Sequence, residues 1–218
     1  ILIAEDQQDS SASLFNLPKG NSSRVIACLS RPDGTIIKGP IVVQQEYQNG
    51  CIWRGLAVGT DQFGVHYEYP QNSSKVRFFN NELCPLTDEI ALPKPFQIAN
   101  RGERIGWCAN AKNEYLLSAN NGNQYYCTIM RSDGTFKFPA IPVSREEVFY
   151  NDSSDGAIDE NGNFLVVTGY FPDQLKPKNK RTVVVARFFN ADGSPKTDLF
   201  YVSEVPPNEC VSGDERPR

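Results

Sequence analysis

Hydrophobic and polar residues alternate along most of this chain in runs of five to eight residues. The runs are rich in β-branched and aromatic residues, and they end at glycine, asparagine and aspartate. Alternation with a period of two is typical of β-strands that have one buried face, and no window of eleven residues carries a helical stripe. The pattern therefore predicts an all-β protein.

One motif in this pattern occurs more than once. Residues 187–190 read Arg-Phe-Phe-Asn, and the same four residues stand 110 positions earlier, at 77–80. Fainter copies that contain Asp-Gly lie at 25–34 and 128–134. Repetition at a fixed period indicates a chain built from similar structural units, so we interpret the sequence as a four-fold repeat.

Two families of turns divide each repeat, because glycine and asparagine readily adopt the positive φ that tight hairpins need. The first family comprises 61–64, 110–113 and 159–162, and the second lies near Gly34, Leu83, Gly134 and Gly193. Each turn separates two strand-like runs. Each repeat is therefore predicted to contain two hairpins, or four antiparallel strands.

A four-stranded sheet that recurs about every 50 residues is typical of a β-propeller blade, whose faces are buried only by neighbouring blades. We expect a single domain over residues 1–218 with four four-stranded antiparallel blades. Their approximate extents are 1–45 with 205–218, 46–96, 97–145 and 146–204. The alternative is a pair of immunoglobulin-like sandwiches of about 110 residues each.

The two ends of the chain are both assigned to the first blade. Residues 1–6 resemble the second strand of a blade, which leaves the first blade without its first strand. We expect the C-terminal segment to supply that strand, with Asn208, Glu209, Cys210 and Val211 at its centre. The segment either closes the ring of its own chain or completes the next copy, and addition without closure builds a fibre.

The bulk composition narrows the classes of partner. The 218 residues carry a net charge of −4, with 39% hydrophobic and 22% charged residues, and they lack a long basic run. Nucleic-acid binding is therefore not expected. The apolar runs are too short to cross a bilayer, so membrane insertion is not expected either. A chain of this length can bury its own core, and we expect no cofactor.

Cysteines and glycosylation sequons favour an extracellular location. An even number of well-separated cysteines with a single histidine argues for disulfides rather than for a metal. The six cysteines are Cys28, Cys51, Cys84, Cys108, Cys127 and Cys210. If cysteines of the same blade pair, the disulfides are Cys28–Cys210, Cys51–Cys84 and Cys108–Cys127. If cysteines at equivalent positions of neighbouring blades pair instead, Cys51 bonds to Cys210. Asn-x-Ser sequons place candidate glycans at Asn21, Asn72 and Asn151.

Signs of catalysis are weak. His66 is the only histidine, and we expect it to be a structural residue of a strand. Carboxylates cluster at 152–160, where aspartate is expected as a turn former, and residues 151–156 only partly match a calcium loop. The repeated aromatic residues are expected to pack between blades. We predict no catalytic site and no metal site.

The Arg-Phe-Phe-Asn-x-x-Gly turns and residues 159–167, Asp-Glu-Asn-Gly-Asn-Phe-Leu-Val-Val, resemble the propeller-like repeats of large secreted or surface-anchored bacterial proteins. The chain departs from them at Gly169-Tyr170, where those repeats often have Trp, and in its six cysteines. The resemblance implies a secreted or surface β-propeller, for which we expect a structural or adhesive role. The unpaired terminal strand makes the chain a candidate protomer of a fibre built from copies of itself. The alternative is a monomeric lectin-like module that binds a glycan or a protein through its long loops at 7–23 and 172–181, and a secreted glycoside hydrolase comes third.

Overall fold

The computed structural model describes residues 2–6, 24–44, 52–69, 73–97, 105–120, 124–143, 154–170 and 183–202. Within these ranges the regular elements are β-strands, apart from one 3₁₀ turn at Lys94–Phe96. The prediction of an all-β protein is confirmed for this part of the chain. Period-two alternation gives each strand two distinct faces, which is what a packed sheet requires.

The described strands form four antiparallel sheets, which we number 1 to 4 in chain order. Sheet 1 contains β1 (Leu2–Asp6), β2 (Arg24–Ser30) and β3 (Ile36–Val42). Sheet 2 contains β4 (Ile52–Val58), β5 (Gln62–Tyr69), β6 (Ser73–Asn80) and β7 (Ile90–Ala91). Sheet 3 contains β8 (Gly106–Ala109), β9 (Glu114–Asn120), β10 (Tyr125–Arg131) and β11 (Ile141–Pro142). Sheet 4 contains β12 (Ser154–Ile158), β13 (Phe164–Tyr170), β14 (Val183–Phe189) and β15 (Phe200–Tyr201).

The register of the strands shows that the sequence repeat is also a structural repeat. Val65 on β5 lies opposite Arg77, and Val166 on β13 lies opposite Arg187. In sheet 1, β1 pairs with β2 in the same way, so Leu2 takes the register position opposite Cys28. β1 therefore corresponds to the second strand of the other sheets, as the sequence predicted. The segment predicted to supply the first strand, 208–213, lies outside the described residues.

Turns of the second family lie where the sequence predicted them. Gly34, Gly134 and Gly193 have φ values of 86°, 88° and 86°, and Leu83 has a φ of 62° at the equivalent position. A left-handed conformation costs a residue with a Cβ atom about 1–2 kcal/mol. Leu83 is buried in the core between sheets 1 and 2, and this burial offsets the cost.

One turn of the first family was predicted at the wrong residues. The turn of sheet 2 closes with a bond from the N–H of Gly59 to the carbonyl of Gln62, and Gly64 lies inside β5. In sheet 3 the corresponding bond runs from the N–H of Asn110 to the carbonyl of Glu114. Its acceptor lies four residues after the donor, whereas in sheet 2 the acceptor lies three residues after it. The turn of sheet 2 is thus shorter by one residue, which breaks the regular spacing seen in the sequence.

Three hydrophobic cores join the sheets in chain order. Large buried members of the core between sheets 1 and 2 are Val43, Phe63, Val65 and Phe79. Those between sheets 2 and 3 are Phe78, Trp107, Tyr115, Leu117 and Met130. Those between sheets 3 and 4 are Leu116, Ile129, Phe164, Val166 and Phe189. Two separate sandwiches would have no core between sheets 2 and 3, so the sandwich alternative is not supported.

Candidate functional site

Each of the two middle sheets presents one side to the preceding sheet and the other side to the following sheet. We call these sides the backward face and the forward face, and we use the same names for the equivalent sides of sheets 1 and 4. On β6, Phe79 belongs to the core with sheet 1, whereas its neighbour Phe78 belongs to the core with sheet 3. On β10, Met130 and Ile129 divide in the same way. The repeat therefore makes it possible to compare equivalent positions that have and lack a following sheet.

The residue after the fourth strand gives the clearest comparison. Val43, Leu92 and Val143 each donate their N–H to a carbonyl near the start of the third strand of the sheet, and Val202 does the same in sheet 4. The first three side chains are 0%, 1% and 0% exposed, because the next sheet covers them. Val202 is 55% exposed. The forward face of sheet 4 is therefore uncovered at this position.

A position on the third strand leads to the same conclusion. Phe78 and Ile129 are fully buried on the forward faces of sheets 2 and 3. Their equivalent in sheet 4, Phe188, is 42% exposed. Its ring stacks on that of Phe200, with 5.7 Å between ring centroids, and Phe200 is itself exposed. We call Phe188, Phe200 and Val202 the terminal face. The terminal face is therefore an exposed apolar cluster on the last sheet of the described array.

An arginine on the third strand locks neighbouring sheets together. Arg77 Nη1 donates to the carbonyl oxygen of Val43 at 2.8 Å, and Arg187 Nη1 donates to that of Val143 at 3.0 Å. In each case Nε donates within its own sheet, to the carbonyl oxygen of Thr87 or Thr197 at 3.0 Å. The rigid fork of the guanidinium group can hold two such acceptors at once. This explains why arginine stands in the repeated motif.

Sheet 3 has no arginine at this position, but the carbonyl group that the arginine would bind is still hydrogen-bonded. Thr128 stands at the equivalent position, and its hydroxyl donates to the carbonyl oxygen of Phe138 at 2.7 Å. The carbonyl of Leu92 accepts a bond from Gln97 Nε2 at 3.1 Å instead. All three internal interfaces thus supply a side-chain donor to the carbonyl that follows the fourth strand. No described residue donates to the corresponding carbonyl of Val202.

Large and small residues interlock across two of the interfaces, and they exchange places. A Cβ atom added to Gly64 in sheet 2 would lie 2.7 Å from the indole ring of Trp107 in sheet 3, whose Nε1 donates to the carbonyl of Gly64. At the next interface the glycine belongs to the later sheet, because a Cβ atom on Gly156 would lie 2.6 Å from the Leu116 side chain. In each pair, a large side chain from one sheet fills the space that a glycine leaves in the other, as close packing requires.

The opposite end of the array has an open edge. In sheets 2 to 4 the second strand lies between the first and third strands, whereas β1 is the outermost described strand of sheet 1. The backbone N–H and C=O groups along such an edge can pair with an added strand. The residues predicted to do so, Asn208, Glu209, Cys210 and Val211, lie outside the described residues.

The candidate catalytic residues have structural roles where the structure describes them. His66 is fully buried within β5, so a substrate could not reach it. The Asp159 carboxylate accepts bonds from the N–H groups of Asn161 and Asn163, as expected for a turn former. A side-chain bond from Asn163, with these backbone bonds, holds the pKa of Asp159 below its ordinary value. Asp155 lies within β12.

The region that partly resembles a calcium loop is not a loop in its described half. Residues 154–158 form β12, and they pair with β13 along their whole length. Backbone engaged in a ladder cannot curl around a cation. In the described ranges, moreover, no group of three or more His, Cys, Asp or Glu side chains could hold a metal ion.

The described cysteines are free thiols rather than disulfides: Cys28, Cys84, Cys108 and Cys127. A bond between Cys108 and Cys127 is excluded by topology, because β9 separates their strands and places them about 10 Å apart, beyond the reach of a disulfide. Burial, with a smaller effect of Asp155, raises the pKa of Cys108 to about 12, and burial also raises that of Cys127. These two thiols serve as packing residues. Cys51 and Cys210 lie outside the described residues, and so do Asn21, Asn72 and Asn151.

Among the phenylalanines of the repeated Arg-Phe-Phe-Asn motif, Phe188 alone is not buried between sheets as predicted. Phe78, Phe79, Tyr125 and Trp107 are buried. Phe188 stands in the same motif as Phe78, so the sequence predicts the same burial for both. No signal within the motif distinguishes Phe188 from Phe78.

Comparison with known proteins gives no further guide to the class of this chain. No family model matches it, and no curated protein has a matching sequence. Among the described residues no helix has the length and hydrophobicity needed to cross a membrane. The interpretation of function therefore depends on the geometry of the four sheets.

Proposed function

We propose that this chain is an extracellular structural or adhesive protein of the β-propeller type, the protomer of a fibre assembled head to tail. The observation that carries the proposal is the exposure of the terminal face, where Val202 is 55% exposed although its three equivalents are buried. A closed ring would cover this face with sheet 1. An open array is left with one unsatisfied surface at each end.

The two ends differ, so their association is heterologous. Sheet 4 ends the array with an apolar face, and sheet 1 begins it with the open edge of β1. Contacts between two different surfaces repeat without limit unless a rotation closes them, and the product is a filament. In this proposal residues 208–211 complete the first blade of the next copy by adding a strand beside β1.

The extracellular location rests on the three sequons, because the described cysteines are free thiols and their number no longer supports it. Occupied glycans at Asn21, Asn72 and Asn151 would support it, and mass spectrometry of the protein from its native source measures them directly. The lectin-like alternative places its binding site on the loops at 7–23 and 172–181, which lie outside the described residues. No described contact favours that alternative over assembly.

Truncation tests the proposed assembly. Removal of residues 205–218 takes away the donated strand but leaves all described strands in place. We expect the truncated protein to lose multimers in light scattering while its circular dichroism spectrum stays that of a β protein. As a control, Asn72→Gln removes a sequon without touching the C-terminal segment and should leave assembly intact. A truncated protein that still forms multimers would contradict strand donation.

A further inference from the structure

We propose that the terminal face binds the backward face of sheet 1 in a second copy of this chain. The inference rests on the proposed function, and it adds the surface through which copies recognise one another. Strand donation completes a sheet within its plane, whereas this contact stacks one sheet on another. The two contacts involve different residues, so they can be tested separately.

The internal interfaces provide the template for the contact. In each one the forward face of a sheet packs on the backward face of the next, and the position of Val202 is buried in all three (Val43, Leu92 and Val143). Sheet 1 has the backbone register of a following sheet, because Leu2 lies opposite Cys28 as Val166 lies opposite Arg187. β1 and β2 of a second copy can therefore take the places of the second and third strands of a following sheet.

The residues of the two faces are complementary in size. On the third strand of sheet 1, Ile26, Cys28 and Ser30 stand at the positions of Val185, Arg187 and Phe189 in sheet 4. The backward face of sheet 1 thus carries smaller side chains at the positions of Arg187 and Phe189. The terminal face is correspondingly large, because Phe188 and Phe200 stand where sheet 3 has two isoleucines, at 129 and 141.

This exchange of large for small follows the pattern inside the molecule. Trp107 fills the space above Gly64 at one interface, and Leu116 fills the space above Gly156 at the next. The phenyl rings of the terminal face fit a shallow partner better than they fit another Arg-Phe-Phe sheet.

A mixing experiment with blocked ends tests the contact. Val202→Glu places a carboxylate on the terminal face, and Ile26→Glu places one on the backward face of sheet 1. Each variant should lose self-association by about 100-fold, since a buried carboxylate without a partner is strongly disfavoured. Mixed together, the two variants retain one intact end each. They should form a dimer with the affinity of the wild-type contact and nothing larger in sedimentation velocity.

Two further variants keep the test decisive. Leu86→Glu is the matched control, because Leu86 is also exposed but lies outside both faces, and it should assemble like the wild type. Val42→Glu replaces Ile26→Glu should the latter fail to fold, since Val42 pairs with Ile26 and shares its face. Thermal melts and circular dichroism establish that each variant is folded.

The possible results separate this inference from the proposed function. Multimers of the wild type that persist in Val202→Glu would overturn the inference and leave strand-mediated assembly standing. A wild type that remains monomeric at all concentrations would overturn both. Blocked variants that fail to form a dimer when mixed would also overturn the inference, as would binding of the terminal face to a different protein only.

Discussion

The strongest test of the open array is a comparison of two phenylalanines that have the same sequence context and different surroundings. Phe78 and Phe188 occupy equivalent positions in the Arg-Phe-Phe-Asn motif. Phe78 is fully buried between sheets 2 and 3, whereas Phe188 is 42% exposed at the end of the array. Substitution of each by alanine removes the same atoms. The loss of stability should therefore differ only through the covering sheet.

The structure sets the expected magnitudes. Phe78 contacts the rings of Trp107 and Tyr115, with 6.2 Å and 4.7 Å between centroids, and removal of a buried phenylalanine side chain costs about 3–5 kcal/mol. Phe188 has somewhat more than half of its surface covered, and its ring stacks on that of Phe200. The covered part of a side chain of this size contributes about 1–1.5 kcal/mol. The expected difference is about 1.5–4 kcal/mol.

Urea unfolding of both variants, followed by circular dichroism at low protein concentration, measures this difference. Low concentration matters because self-association would add to the apparent stability of the Phe188 position. Phe188→Ala should unfold close to the wild type, and Phe78→Ala should unfold at a much lower urea concentration. Equal losses in the two variants would refute the reasoning, because they would show that the terminal face is covered within a single molecule.

Other predictions test contacts inside the array. Gly64→Ala should destabilise the protein by about 1–3 kcal/mol in urea unfolding, because the added methyl group collides with Trp107; a neutral result would contradict the interlock. Arg187→Lys should cost ~1–2 kcal/mol because one ammonium group cannot reach both of its carbonyl acceptors, including that of Val143. Burial opposes ionisation of Glu114, but bonds from an ammonium group and an amide hold its pKa below the ordinary 4.5. A carboxyl group whose pKa is lowered in the folded state stabilises that state above pH 4.5. This stabilisation is lost as the pH falls through the pKa of the folded state. The stability advantage of the wild type over Glu114→Gln should therefore be full at neutral pH and shrink below pH 4.5 in thermal melts, and a constant difference would argue against the ion pair.

The parts of the fold that the sequence predicted depend on local signals. Period-two alternation specifies strands, and a residue able to adopt positive φ specifies a turn, so the turns at Gly34, Gly134 and Gly193 could be placed without coordinates. Even Leu83 was placed correctly, because the motif around it repeats. The four-sheet division followed from repetition of these local signals.

The features that the sequence missed depend on which sheets are neighbours. Phe188 and Phe78 share one motif, and only their place in the array decides which is buried. Gly64 was assigned to a turn, but its role is to leave room for a ring from the next sheet. Arg77 was recognised as a repeated residue, but its acceptor lies 34 residues away on another sheet. Such relations are not encoded in any short window.

Disulfides were the other prediction that depended on distance in space. An even cysteine count is compatible with pairing, but Cys108 and Cys127 are kept apart by the strand between them. Cys127 is instead buried in the core between sheets 3 and 4, and the half-buried Cys108 packs against that core. The count alone cannot distinguish these two uses of cysteine.

The central claim is that the array is open and continues from one molecule to the next. The weight-average mass of the wild-type protein, measured by light scattering across a concentration series, tests this claim most directly. The account predicts a mass that rises with concentration through a ladder of multimers, and a Val202→Glu protein that stays at the mass of one chain. A wild-type mass that remains that of one chain at every concentration would contradict it.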